Sequence, residues 1–145
     1  MNNKQRQKLW RKARRDARQD LLFYVEYRKI LDELIDDRIH ARSGSESQAA
    51  RSLVSDPTAA AAMRGTQTPR EKYLQSKCDA IEQCLMFMSG DMQTRRNKQR
   101  MVEMVYFRRT HTTQGAAMEL DYSVRTIQRW QAEILDSIAI QLGYK

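Results

Sequence analysis

Very little in this chain would stop a helix. Its 145 residues contain two prolines, Pro57 and Pro69, and five glycines, the residue types that most oppose helix propagation. Alanine, arginine, glutamine, methionine and leucine are abundant, and no window shows the alternation of β-branched residues that a strand would need. The expected fold class is all-α. With 41% hydrophobic residues and a mean hydropathy of -0.78, a chain of this length buries a modest core but encloses no large active-site cavity. A large multidomain enzyme is excluded. No eighteen apolar residues run together, and the basic start from Met1 to Arg15 has no apolar stretch behind it, so neither a transmembrane helix nor a secretory signal is expected. The expected compartment is the cytoplasm.

Two cysteines, Cys78 and Cys84, lie on one expected helix, rotated roughly 240° from each other, so they should not bridge locally. Together with two isolated histidines they show no metal-ligand spacing. No metal and no cofactor are expected.

The charge is +8, and its distribution says more than its total. Residues 1–19 carry Lys4, Arg6, Lys8, Arg11, Lys12, Arg14, Arg15 and Arg18 against Asp16 alone, residues 20–41 carry a net acidic charge, and residues 92–145 are basic again. Two basic poles around an acidic waist repel themselves, and a polyanion partner explains them economically. Nucleic acid is favoured over a membrane surface, because Leu9, Trp10, Ala13 and Ala17 make only a thin apolar stripe along the arm.

Residues 1–41 read as a basic arm leading into a long amphipathic helix. From Asp20 to Ala41 the stripe is Leu21, Tyr24, Val25, Arg28 by its stem, Leu31, Leu34, Ile35 and Ile39. Asp32, Glu33, Asp36 and Asp37 face outward, and Arg28–Asp32 and Lys29–Glu33 are the i,i+4 neighbours of an ordinary ion-paired surface. Residues 42–68 read as a Ser/Ala-rich linker, with short helical turns expected around Gln48 to Val54 and Thr58 to Met63. Residues 69–145 read as a helical C-terminal domain. Its first helix has Thr68 as cap, Pro69 at the first position and Glu71 completing a capping box, buries Tyr73, Leu74, Cys78, Ile81, Leu85 and Met88, and stops at Gly90. Asp91 caps a further helix to about Phe107, with Met92, Val102, Val105 and Tyr106 inward and Arg95, Arg96, Lys98 and Arg100 outward. Met86, Met88, Met92, Met101 and Met104 read as core filler.

The most informative segment is residues 113–132, TQGAAMELDYSVRTIQRWQA. It fits a helix-turn-helix: Ala116 and Ala117 supply the small crossing, Leu120 and Tyr122 flank the turn, and Ile127 and Trp130 face inward one helical turn apart. Asp121 occupies the turn position where positive φ is common, a conformation Asp tolerates moderately. Ser123 opens the second helix as N-cap, and Arg125, Gln128 and Arg129 project from the face opposite Ile127 and Trp130. Arginine pairs bidentately with guanine and glutamine with adenine in the major groove, so these are candidate base-reading residues. Arg108, Arg109, Thr112 and Thr113 before the unit, with Arg11, Arg14 and Arg15 of the arm, are candidate phosphate contacts.

Residues 105–145, with the aromatic pair Tyr106–Phe107, the two-helix unit opened by Ser123 and a tail helix ending at Leu142–Gly143, resemble the C-terminal part of the RinA/ArpU-type phage late-gene transcription activators and are similar to sigma-factor region 4. The resemblance covers roughly the last 45 residues closely and the N-terminal part only in type. It implies a bacteriophage regulator that binds double-stranded DNA upstream of a late operon and helps host RNA polymerase start there, with DNA contacts on Ser123, Val124, Arg125, Thr126, Gln128 and Arg129. A monomer or homodimer is expected. The alternative is a DNA-binding assembly protein of the terminase small-subunit type, in which the long helix from Asp20 would oligomerise. No Gly-rich phosphate loop, nucleophile motif or His–carboxylate constellation is visible, so an enzyme is not expected.

Overall fold

The computed structural model of the protein describes residues 1–49 and 67–144, which form helices and short connections with no strand among them. Helix α1 spans Asn3–Leu22, α2 Tyr24–Ala49, α3 Pro69–Met86, α4 Met92–Val102, α5 Thr113–Leu120 and α6 Val124–Gln141, with a π-helical turn at Glu103–Phe107. The turn expected at Thr58 to Met63, and most of that expected at Gln48 to Val54, lies outside the described residues. The helix expected from Asp20 to Ala41 is broken at Phe23, which caps α1 with its N–H on the Gln19 carbonyl, so Asp20–Leu22 belong to α1 and α2 runs from Tyr24 through the first part of the expected linker to Ala49.

The helix ends are set by local chemistry. At the start of α1 the Asn2 side chain accepts from Gln5 N–H while the Gln5 side chain accepts from Asn2 N–H. This box satisfies two donors that an α-helix cannot pair internally. Thr68 Oγ1 accepts from Glu71 N–H at 3.2 Å to open α3, and Asp91 accepts from Thr94 N–H at 2.7 Å to open α4. That capping bond also holds the Asp91 carboxyl below its ordinary pKa. Gly90 between them has φ +109, a region closed to most side chains.

Contacts divide the chain into two compact units, Met1–Val25 with Lys77–Lys145, and Glu26–Ser76. In the first, α1 packs along α6 through Ala13, Ala17 and Leu21, small or slender residues that let the two backbones approach. The same core takes Ile81, Met88, Met101, Val102 and Tyr106 together with Ile127, Trp130, Ile134 and Ile138. Both cysteines are buried free thiols, and burial raises the pKa of Cys84. In the second unit Leu31 and Leu74 are buried, and Arg38 Nε lies 3.2 Å from Oε2 of the buried Glu71.

Several expectations of burial need correcting. Tyr73, Met86, Met92, Val25 and Ile39 are exposed, because periodicity identifies a helix face without saying how far along it a neighbour reaches. Lys98, expected outward, is only 4% exposed. Its ammonium reaches the Ser89 carbonyl at 2.9 Å and Glu133 Oε2 at 3.2 Å, which replaces the water it gives up. The helix expected to continue to Phe107 becomes a π turn after Val102, closed by Arg108 N–H on the Glu103 carbonyl at 2.7 Å. Tyr106 is buried there, and Phe107 stacks on Tyr24 at 4.9 Å between centroids.

Candidate nucleic-acid interface

Helix α5 ends at Asp121, whose backbone is left-handed with φ 61 and ψ 47. Asp121 N–H and Tyr122 N–H both return to the Ala117 carbonyl, which turns the chain sharply while pairing a terminal acceptor. Two residues later Ser123 Oγ accepts from Thr126 N–H at 3.1 Å and starts α6. Tyr122 packs edge-on to Trp130 with centroids 4.7 Å apart, and its hydroxyl accepts from Asn97 Nδ2 at 2.9 Å. The turn is therefore fixed from α4 as well as from its own two helices. Ala116, Ala117, Leu120, Ile127 and Trp130 are buried, and Tyr122 is half-buried.

With Ile127, Ile134 and Ile138 turned into the core, Ser123, Val124, Arg125, Gln128 and Arg129 are left exposed at the start of α6, and Thr126 is half-buried. Ser123 and Thr126 are joined to each other at the helix start.

The candidate phosphate contacts separate into engaged and free groups. Arg108 pairs with Glu103 at 2.9 Å, and Arg109, itself at φ 56, donates to the Leu22 carbonyl at 2.6 Å and lies over the Phe23 ring. Thr112 caps α5 by accepting from Gly115 N–H, and Thr113 accepts from Gln131 at 3.1 Å. Arg14 makes a two-pronged contact with Asp136 on α6, one prong from Nη2 to Oδ2 at 2.8 Å. The hydrogen bond to Asp136 outweighs partial burial and raises the pKa of the guanidinium. Arg11 and Arg15 are exposed.

Sequence reasoning missed the residues that hold this surface in place. Glu133 and Asp136 on α6 receive Lys98 and Arg14 from two different helices. Burial pushes the Glu133 carboxyl pKa up, but bonds from Ser89 and Lys98 prevail and lower it. At the end of α6, Asp20, Lys77 and the Tyr144 hydroxyl form a buried cluster, with Lys77 Nζ 2.8 Å from Asp20 Oδ2. Burial opposes the Lys77 charge, yet the bonds to Asp20 and Tyr144 raise its pKa. The only advance signal for the Lys98–Glu133 and Arg14–Asp136 pairs was the presence of two acids on an otherwise basic and apolar helix.

Among the described residues no three His, Cys, Asp or Glu side chains gather as a metal ion would require, and no helix is long and apolar enough to cross a membrane. The chain matches no protein-family model, no curated protein and no solved structure.

Proposed function

We propose that this protein is a sequence-specific double-stranded-DNA-binding regulator in which α5 and α6 act as a helix-turn-helix and α6 enters the major groove. One observation carries the reading: Arg125, Gln128 and Arg129 stand exposed together at the start of a capped helix whose opposite face is core. The backbone beneath these side chains is already ordered, so binding restricts only their own rotamers, and they are the types that read guanine and adenine edges. Ser123, Val124 and Thr126 complete the base-facing turn. Arg11 and Arg15 supply phosphate affinity, joined by Arg108 and Arg109 where a phosphate competes with their internal partners. The resemblance to RinA/ArpU-type activators extends the proposal to activation of phage late genes through host RNA polymerase, in the cytoplasm of a bacterial host. No catalytic role is proposed.

The test is selection of bound duplexes from a random pool at about 150 mM salt, where non-specific affinity is suppressed. A recovered motif whose binding falls by about 1–3 kcal/mol in Arg125→Ala or Arg129→Ala, with random duplex much less affected, is the expected result. Equal losses on both DNAs would remove base reading from α6.

A DNA-binding assembly protein of the terminase small-subunit type is the second reading. It is favoured by an open groove of about 390 Å³ that Phe87 and Ile140 line with Cys84, Met88 and Ile134, where Phe87 is 78% exposed. A stable ring in sedimentation would select it, and a monomer or dimer would select the regulator.

A further inference from the structure

Helix α1 gathers its cations on one face. Lys4, Lys8, Arg11 and Arg15 follow one another at steps of four, three and four residues, which at 3.6 residues per turn gathers them within an arc of roughly 60° over roughly 16 Å of helix. Arg18 continues the row. All are exposed, and the first four make no ion pair among the described residues. The arrangement is unfavourable for the helix by itself: like charges four residues apart repel, and the first turn, where the helix dipole favours acids, has none. What holds α1 is its other side, Ala13, Ala17 and Leu21 against the core.

Arg14 sits on the border between these two sides, and its partner gives the row a direction. Asp136 follows Arg125 and Arg129 by eleven and seven residues, so it shares their face of α6, roughly 16 and 10 Å further along. Contacts between the helices also run in the same order on both, Arg14 with Asp136 and Asp20 with Tyr144 beyond the end of α6. The N-terminal turns of α1 therefore head toward the Arg125–Arg129 end of α6, with the basic row centred roughly 90° around α1 from Arg14 on the side away from the core.

Building on the reading of α6 given above, we infer that the Lys4–Lys8–Arg11–Arg15 face of α1 is a second duplex-DNA surface, kept in register with α6 by the Arg14–Asp136 pair, and grips the phosphate backbone beside the site that α6 reads. Over the length of the row one strand of B-DNA presents about five phosphates. Arg14 is thereby a positioning residue and not a phosphate ligand. A lipid surface fits less well, because Ala13, Ala17 and Leu21 of α1 point into the core and only Leu9, with Met1 ahead of the helix, stays exposed near the row.

The full-length protein is titrated with a random-sequence duplex of about 20 base pairs at several salt concentrations. Replacing Lys8, Arg11 and Arg15 by Ala should make the slope of log K against log salt shallower by about 2.7, roughly 0.9 per lost phosphate contact. Replacing the exposed Lys29, Arg70 and Lys72 by Ala removes the same charge and should leave the slope almost unchanged. Equal changes in the two triple variants, or an unchanged slope in the first, would overturn the surface. Stronger binding to phosphatidylserine vesicles than to duplex, lost in the first triple variant, would also overturn it in favour of a membrane. For the latch, Asp136→Asn should weaken binding to a selected motif several-fold without weakening binding to random duplex, and Arg14→Asp with Asp136→Arg should restore it. Equal gains on both duplexes would reduce Asp136 to a repelling charge. A salt slope carried by α1 with no selectable motif would end the reading of α6 alone, and a motif bound with an unchanged slope would end the α1 surface alone.

Discussion

Helices α1 and α4 are both basic and both touch α6, yet they treat their cations differently. Each commits one of them to an acid of α6, Lys98 to Glu133 and Arg14 to Asp136. The Lys98 side chain is 4% exposed and carries three other oxygen contacts, from Ser89 O, Ser89 Oγ and a second Glu133 oxygen. The Arg14 side chain is 40% exposed and that of Asp136 28%. Desolvated cations depend on every partner they have, whereas solvent-screened pairs contribute less and weaken further in salt. So α4 serves as a fixed brace, with Asn97 also gripping the turn through Tyr122, and α1 serves as an adjustable one.

Helix α6 is held first by its core, where Ile127, Ile134 and Ile138 are buried. Ile138→Ala, at a position with no exposure, should therefore have the largest effect, about 2–5 kcal/mol in chemical denaturation. A loss below about 1 kcal/mol would mean that polar braces hold α6 instead. Lys98→Ala should come next, at about 1–3 kcal/mol, since it strips Ser89 and Glu133 of a buried donor. Arg14→Ala should cost no more than about 1 kcal/mol and lose most of that effect in high salt. If Arg14→Ala proves as damaging as Lys98→Ala, the distinction between fixed and adjustable brace fails.

The smallest expected effect is a pH dependence at Glu133. The folded pKa of Glu133 is lowered, so its contribution is present above the ordinary carboxylate range and is lost as pH falls through the folded pKa. Stability curves of the wild type and of Glu133→Gln should converge below about pH 4. Curves that stay parallel would show that Lys98 draws its support from Ser89 alone.

What could be read in advance was whatever depends on neighbours a few residues away. Thr68 accepting from Glu71 N–H, Asp91 before α4 and the Asp121–Ser123 turn are contacts within three or four residues, and the structure has each of them; the Glu71 carboxylate turns to Arg38 instead of closing the capping box, and α3 ends at Met86, ahead of the stop expected at Gly90. The inward face of α6 follows in the same way from Ile127, Trp130 and Ile134 at helical spacing. Legibility ended at the charged residues. Arg14, Lys98 and Arg15 look alike in the sequence, yet one latches a helix, one is buried and one is left to solvent.

Backbone propensity, capping and periodicity are local, and from them the amino-acid sequence settles that this protein is helical, where α3, α4 and α6 begin, and which face of α6 turns inward. Tertiary structure alone decided which cations remain outside. Arg14 finds Asp136 across 122 residues and Asp20 finds Tyr144 across 124, and an ammonium or guanidinium gives up water only where the fold has already brought an acid or a carbonyl to meet it.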